Sequence, residues 1–157
     1  MREAYRIHFA DPRRERMFVS SGSFLATFAV VRAITHAVKS DKVPIGNIQS
    51  GGRHIHHVVF GIAGLLGTGY AWTAQLGTGT TASGRAGSRA TAASYGAASA
   101  LTLDEFALWL NMDENDYWNS EGRKSVDAVV LFAALLSLGT WGAPFFQHLA
   151  GQHRPRR

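Results

Sequence analysis

A chain of 157 residues is long enough for one domain with a real core and too short to divide comfortably into two. It contains no cysteine, which excludes disulfides, thiolate metal sites and cysteine nucleophiles. The net charge of +5 comes from basic residues that flank apolar runs instead of forming an aromatic-interleaved patch, so the balance points to a membrane and away from nucleic acid.

Residues 1–16 form an Arg-rich start in which Tyr5, Ile7 and Phe9 alternate with polar neighbours. This reads as an interfacial or flexible segment, since no small-residue cleavage site follows to make it a signal peptide. Residues 17–38 are apolar enough to cross ~30 Å of hydrocarbon as a helix. Arg32 and His36 interrupt this run four residues apart, on one helical face.

Residues 39–53 read as a loop, punctuated by Pro44, Gly46, Gly51 and Gly52. The second apolar run, 56–76, opens with His56 and His57 and carries Gly61, Gly64, Gly67 and Gly69. Such glycines weaken a soluble helix by roughly 1 kcal/mol each, but in a bilayer they let helix backbones approach. The Gly/Thr/Ser-rich stretch 77–90 reads as a flexible connector. The third run, 91–112, is small-residue-rich at first and bulky later, and its small face is expected against the glycines of the second. The acidic, aromatic stretch 111–124 reads as a loop, 126–146 as a fourth span, and 150–157 as a basic tail with His153 in it.

The expected fold is therefore all-α: one membrane domain built as a bundle of four transmembrane helices, at about 17–38, 56–76, 91–112 and 126–146. Four spans put both termini on one side. That side carries Arg2, Arg6, Arg13, Arg14, Arg16, Arg85, Arg89, Arg154, Arg156 and Arg157. The other carries Lys39, Lys42, Arg53, Arg123 and Lys124. The excess favours a multi-pass protein of the cell membrane with both termini cytoplasmic.

Asp104 and Glu105 are adjacent carboxylates inside an apolar run, and burying them unpaired costs several kcal/mol. Antiparallel neighbours bring the end of the third span to the start of the second, where His54 and His57 lie three apart, and to Arg32 and His36 of the first. Imidazole with carboxylate suits a divalent metal such as zinc, iron or manganese. On that expectation His54, His57, Asp104 and His36 hold the metal, Glu105 is the general base toward a metal-bound water, and Arg32 stabilises an anionic group of a membrane-soluble substrate. No diagnostic soluble metal motif is present. Three other readings stand beside it: a structural pairing of Asp104 or Glu105 with Arg32, a proton- or ion-conducting oligomer, and a non-catalytic subunit bound to a partner membrane protein. His148 is expected to face solvent.

The segments HIHHVVFGI, LTLDEFALWL and DYWNSEGRKSVDAVV together resemble a group of small, uncharacterised prokaryotic integral membrane proteins with a His-rich helix start and an Asp-Glu-Phe helix. The resemblance spans about 53–130. It implies four membrane helices and carries no activity.

Overall fold

The computed structural model describes residues 1–39, 49–50, 53–54, 57–81, 84–104 and 120–151, with side chains described for 1–38, 57–81, 84–104 and 130–151. Within these, the protein is helical: α1 (Arg2–His8), α2 (Pro12–Lys39), α3 (His57–Thr73), α4 (Gly84–Asp104) and α5 (Ser120–Leu149). A two-residue antiparallel strand pair, Gln49–Ser50 with Arg53–His54, precedes α3, within a stretch expected to be loop.

The first two helix starts differ from expectation for a local reason. Asp11 accepts a hydrogen bond from the Arg13 amide at 2.8 Å, and Pro12 occupies the first helical position. This N-cap starts α2 five residues before the apolar run begins, so residues 12–16 are helix rather than interfacial coil. α1 is likewise packed rather than free. Its Ala4 is buried, and Phe9 just past its end stacks on Phe18 of α2 at 4.5 Å and lies 5.4 Å from Phe145 of α5.

The connector before α4 is also shorter than expected. The Thr81 hydroxyl accepts from the Gly84 amide at 3.2 Å and the Thr81 carbonyl from the Arg85 amide at 2.9 Å, so Arg85 and Arg89 are helical. Gly77, at φ +67, makes the turn that allows this; a Cβ there would also strike the Thr91 side chain. At its other end the described part of α4 stops at Asp104, and residues 105–112 of the expected span lie outside the described residues.

α2 and α4 lie at the centre, α3 flanks α4, and α5 flanks α2. The contacts pair Arg16 with Ser88 and Arg32 with Asp104, so α2 and α4 are parallel, whereas α3 and α5 run the other way. His8 meets His148, which puts the start of the chain and the end of α5 at the same end of the molecule.

Packing is closest between α2 and α4. Ser88, Ala92, Gly96, Ala100 and Asp104 recur every fourth residue and are all buried. That spacing lines one helix face with small side chains, and the Ser20 carbonyl of α2 sits where a Gly96 Cβ would be. The adjacent face of α4 takes α3: a Cβ on Gly61 would stand 2.7 Å from the Thr102 amide, and one on Gly64 2.8 Å from the Ala98 Cβ. The small face expected against the α3 glycines is thus present, and a second one holds α2.

Besides Phe9, Phe28 and Phe145 the buried side chains are mostly small or polar, while many large apolar ones are exposed. Glu15, Ser21, Thr68, Ser88 and Asp104 are buried, and Phe132, Leu66 and Leu136 are 68%, 70% and 61% exposed. Among the described residues two helices, over Pro12–Val38 and Val130–Leu149, are long and apolar enough to cross a membrane.

Candidate functional site

The site is assembled at the end where α2 and α4 finish and α3 begins. Asp104 is buried at 2% exposure. Its Oδ1 lies 3.0 Å from Arg32 Nε and its Oδ2 lies 2.9 Å from His57 Nε2. Arg32 also donates from a terminal nitrogen to the Asp104 backbone carbonyl at 3.4 Å, and its guanidinium sits 5.1 Å from the Phe28 ring centroid. One guanidinium thus answers the charge of the carboxylate and a carbonyl at the end of α4.

The two contacts differ in kind. The imidazole nitrogen is placed for a hydrogen bond with Oδ2. The Arg32 Nε–H is not aimed at Oδ1, so that contact is ionic, and Oδ1 accepts no aligned hydrogen bond among the described residues. Oδ1 therefore retains accepting capacity inside a buried site. The His57 side chain is 28% exposed and Arg32 13%, against none for Asp104, so His57 is the route by which the carboxylate meets its surroundings.

Of the residues expected to converge, Arg32, Asp104 and His57 do. His36 lies one turn beyond Arg32 on α2 and is exposed. His54 belongs to the second strand of the short pair, with its side chain outside the described residues, and Glu105 lies wholly outside them. No group of three His, Asp or Glu side chains converges among the described residues. Within them, the donors to a divalent metal would be Asp104 and His57, and Asp104 already faces Arg32.

A second ionic cluster, which the sequence reading did not anticipate, closes the opposite end. Glu15, 3% exposed, takes Arg89 Nε at 2.7 Å and Arg85 at 3.7 Å. Arg85 also donates to the carbonyls of Phe9 and Ala10 beyond the end of α1. The signal was present in the spacing: Glu15 stands one turn after the Asp11–Pro12 cap, and Arg85 and Arg89 are four apart on one face. Each end of the parallel α2 and α4 pair is thus closed by a carboxylate from one helix and arginine from the other.

His148, expected in solvent, is half-buried against His8, with Nδ1 of one ring 3.2 Å from Nε2 of the other. It was misread because α1 was not recognised as a packed helix.

Tyr5 borders the Glu15 cluster. Burial and the neighbouring Glu15 carboxylate push its phenol from 10.0 up to about 12. A proton held more tightly by the folded state gives stability that is fully present below the unfolded value and is lost as pH rises through about 12. Titration followed by phenolate absorbance is expected to show one tyrosine ionising near pH 12, and Tyr5→Phe is expected to remove that step.

No protein-family model, no curated protein and no solved structure matches this chain.

Proposed function

We propose that this is an integral membrane protein of four spans with cytoplasmic termini, and that Arg32, Asp104 and His57 form a proton-handling site near its outer face. The membrane reading is supported by the two long apolar helices and by the many large apolar side chains left exposed on the helices, among them Val30, Ile34, Leu66, Phe132 and Leu136, while carboxylates at Glu15 and Asp104 are buried. The two ionic clusters are ~25 Å apart along α2, close to the ~30 Å thickness of a hydrocarbon core, which supports a position for each near one interface. The arginine excess at the terminal end supplies the orientation. A reporter fused after Arg157 is expected to read cytoplasm, and an impermeant label at Asn119 to react from outside; the opposite result ends this orientation.

The proton reading is carried by one observation, the buried Asp104 carboxylate held between an imidazole at 2.9 Å and a guanidinium at 3.0 Å. A neutral His57 donates its Nε2–H to Oδ2. When Nδ1 takes a second proton, the imidazolium becomes an ion pair with the same carboxylate, so both states of the ring are held in one geometry. Arg32 supplies the fixed positive charge that keeps a carboxylate tolerable at this depth. With the chain in liposomes and a membrane potential imposed, Asp104→Asn is expected to lower proton flux by about a hundredfold, the low end of what a positioned acid–base group contributes. Parent flux equal to that of empty liposomes, or flux unchanged in His57→Phe, ends the reading.

The His57–Asp104 hydrogen bond also favours a second reading, because a carboxylate that fixes an imidazole is the usual support of a metal-ligating histidine. In it His57 binds a divalent zinc, iron or manganese ion through Nδ1, with His54, His36 and Glu105 as the further donors. Elemental analysis of detergent-purified protein tests it: stoichiometric metal that disappears in His57→Ala supports it, and a metal-free parent ends it.

A further inference from the structure

Where α1, the start of α2 and the start of α4 meet, the protein forms a half-open cavity of about 190 Å³ bordered by Tyr5, Arg6, Phe9, Glu15, Arg85 and Arg89. Three arginines and one carboxylate line it. Tyr5, whose phenol is pushed up to about 12, adds no negative charge at neutral pH, so the cavity carries an excess of two positive charges. Glu15 is only 3% exposed, while the side chains of Arg85 and Arg89 remain 27% and 47% exposed. Their common carboxylate anchors them; Arg85 also bonds the carbonyls of Phe9 and Ala10, so the more exposed Arg89 and Arg6 are the ones placed to take a ligand.

Such forks match the oxygens of a phosphate group, and the volume has room for about six waters, enough for one tetrahedral oxyanion. The parallel arrangement of α2 and α4 turns the positive ends of both helix dipoles toward this end. The surroundings distinguish a lipid from a free anion. Phe9 forms part of the cavity wall, and the cavity lies at the start of the long apolar helix Pro12–Val38. On the membrane reading that start sits at the headgroup level of the terminal-side leaflet, so a lipid phosphate can occupy the cavity while its acyl chains enter the bilayer beside α2. The excess positive charge disfavours a choline headgroup.

We propose that this cavity binds the phosphate of an anionic phospholipid of the leaflet on the terminal side, which fastens α1 onto the start of α2 and α4. The proposal rests on the membrane reading given above. Its test uses the full chain in detergent, titrated with dihexanoyl phosphatidylglycerol below its micelle-forming concentration, beside dihexanoyl phosphatidylcholine and inorganic phosphate. The phosphatidylglycerol is expected to bind one per chain, at least about tenfold tighter than either comparator, and Arg6→Gln to weaken it about tenfold, the effect of losing one charge-assisted contact. Arg6 is exposed, so this variant is expected to melt like the parent; Arg85→Gln, which also loses bonds to α1, is expected to weaken binding and lower the melting temperature together.

Equal affinity for phosphatidylcholine, equal affinity for inorganic phosphate, or unchanged binding by Arg6→Gln each overturns the proposal. Alkaline carbonate extraction of native membranes separates the two failures. A chain released by carbonate ends the membrane reading and the lipid site with it, whereas a retained chain that does not bind phosphatidylglycerol ends the site alone.

Discussion

Asp104→Ala is expected to cost up to ~3 kcal/mol, because it removes the buried carboxylate that answers the largely covered Arg32 guanidinium. Arg32 Nε lies 3.0 Å from Asp104 Oδ1, and the two side chains are 13% and 0% exposed, so water offsets only part of the missing interaction. The double change Arg32→Met with Asp104→Leu is expected to recover most of that loss, since replacing both members of a buried pair by apolar groups of similar size is often near neutral. Melting of the purified protein in detergent reads both quantities. A double variant no more stable than Asp104→Ala would show that the position needs the charges themselves rather than filled space. His57→Phe separates the proton reading from plain architecture: it removes the partner of Oδ2 while leaving the Arg32 contact, so it is expected to act on flux far more than on melting.

Gly96→Leu is expected to disrupt the protein more than a leucine at any other described α3, α4 or α5 glycine within a helix. A Cβ at Gly96 would collide with the Ser20 carbonyl and stand 2.9 Å from the Phe24 amide, both backbone atoms of α2 that no rotamer change can clear. Overpacking of this kind costs ~1 to 3 kcal/mol, with the upper end expected where backbone must move. Gly61→Ala and Gly64→Ala follow, since the first meets the Thr102 amide at 2.7 Å and the second the Ala98 Cβ at 2.8 Å, an atom fixed to its backbone that no rotamer change can clear. Gly67 and Gly139 have nothing within 4 Å of an added Cβ, and leucine there is expected to change stability by no more than about 0.5 kcal/mol. Size-exclusion chromatography and melting on this set measure the ranking. Equal melting of Gly96→Leu and Gly67→Leu would mean that α2 and α4 do not pack through this face.

What the sequence determined by itself was carried by composition and local chemistry. The apolar runs between Gly- and charge-rich stretches marked the helices, because a backbone in a continuous apolar segment must satisfy its own hydrogen bonds. Asp104 stood out as a carboxylate in such a run, and Arg32 and His57 were named as its neighbours from the alternation of helix direction alone. The Asp11–Pro12 cap is a contact between near neighbours and so lies within reach of the sequence, but the boundary expected at residue 17 follows the apolar run alone and misses it.

Tertiary structure alone decided which helix faces meet and which atoms pair. The four-residue repeat from Ser88 to Asp104 fits either neighbour equally well as a pattern, and only the close approach of the Ser20 carbonyl to Gly96 assigns it to α2. The Glu15 pairing with Arg85 and Arg89 joins positions 70 and 74 residues apart, and His8 meets His148 across almost the whole chain. Periodicity within a segment carries no information about such distant partners. At Asp104 the sequence supplied the residue types, but not the division of its two oxygens between an imidazole and a guanidinium. That division depends on the relative height and rotation of three helices, quantities fixed by packing and absent from any one-dimensional pattern.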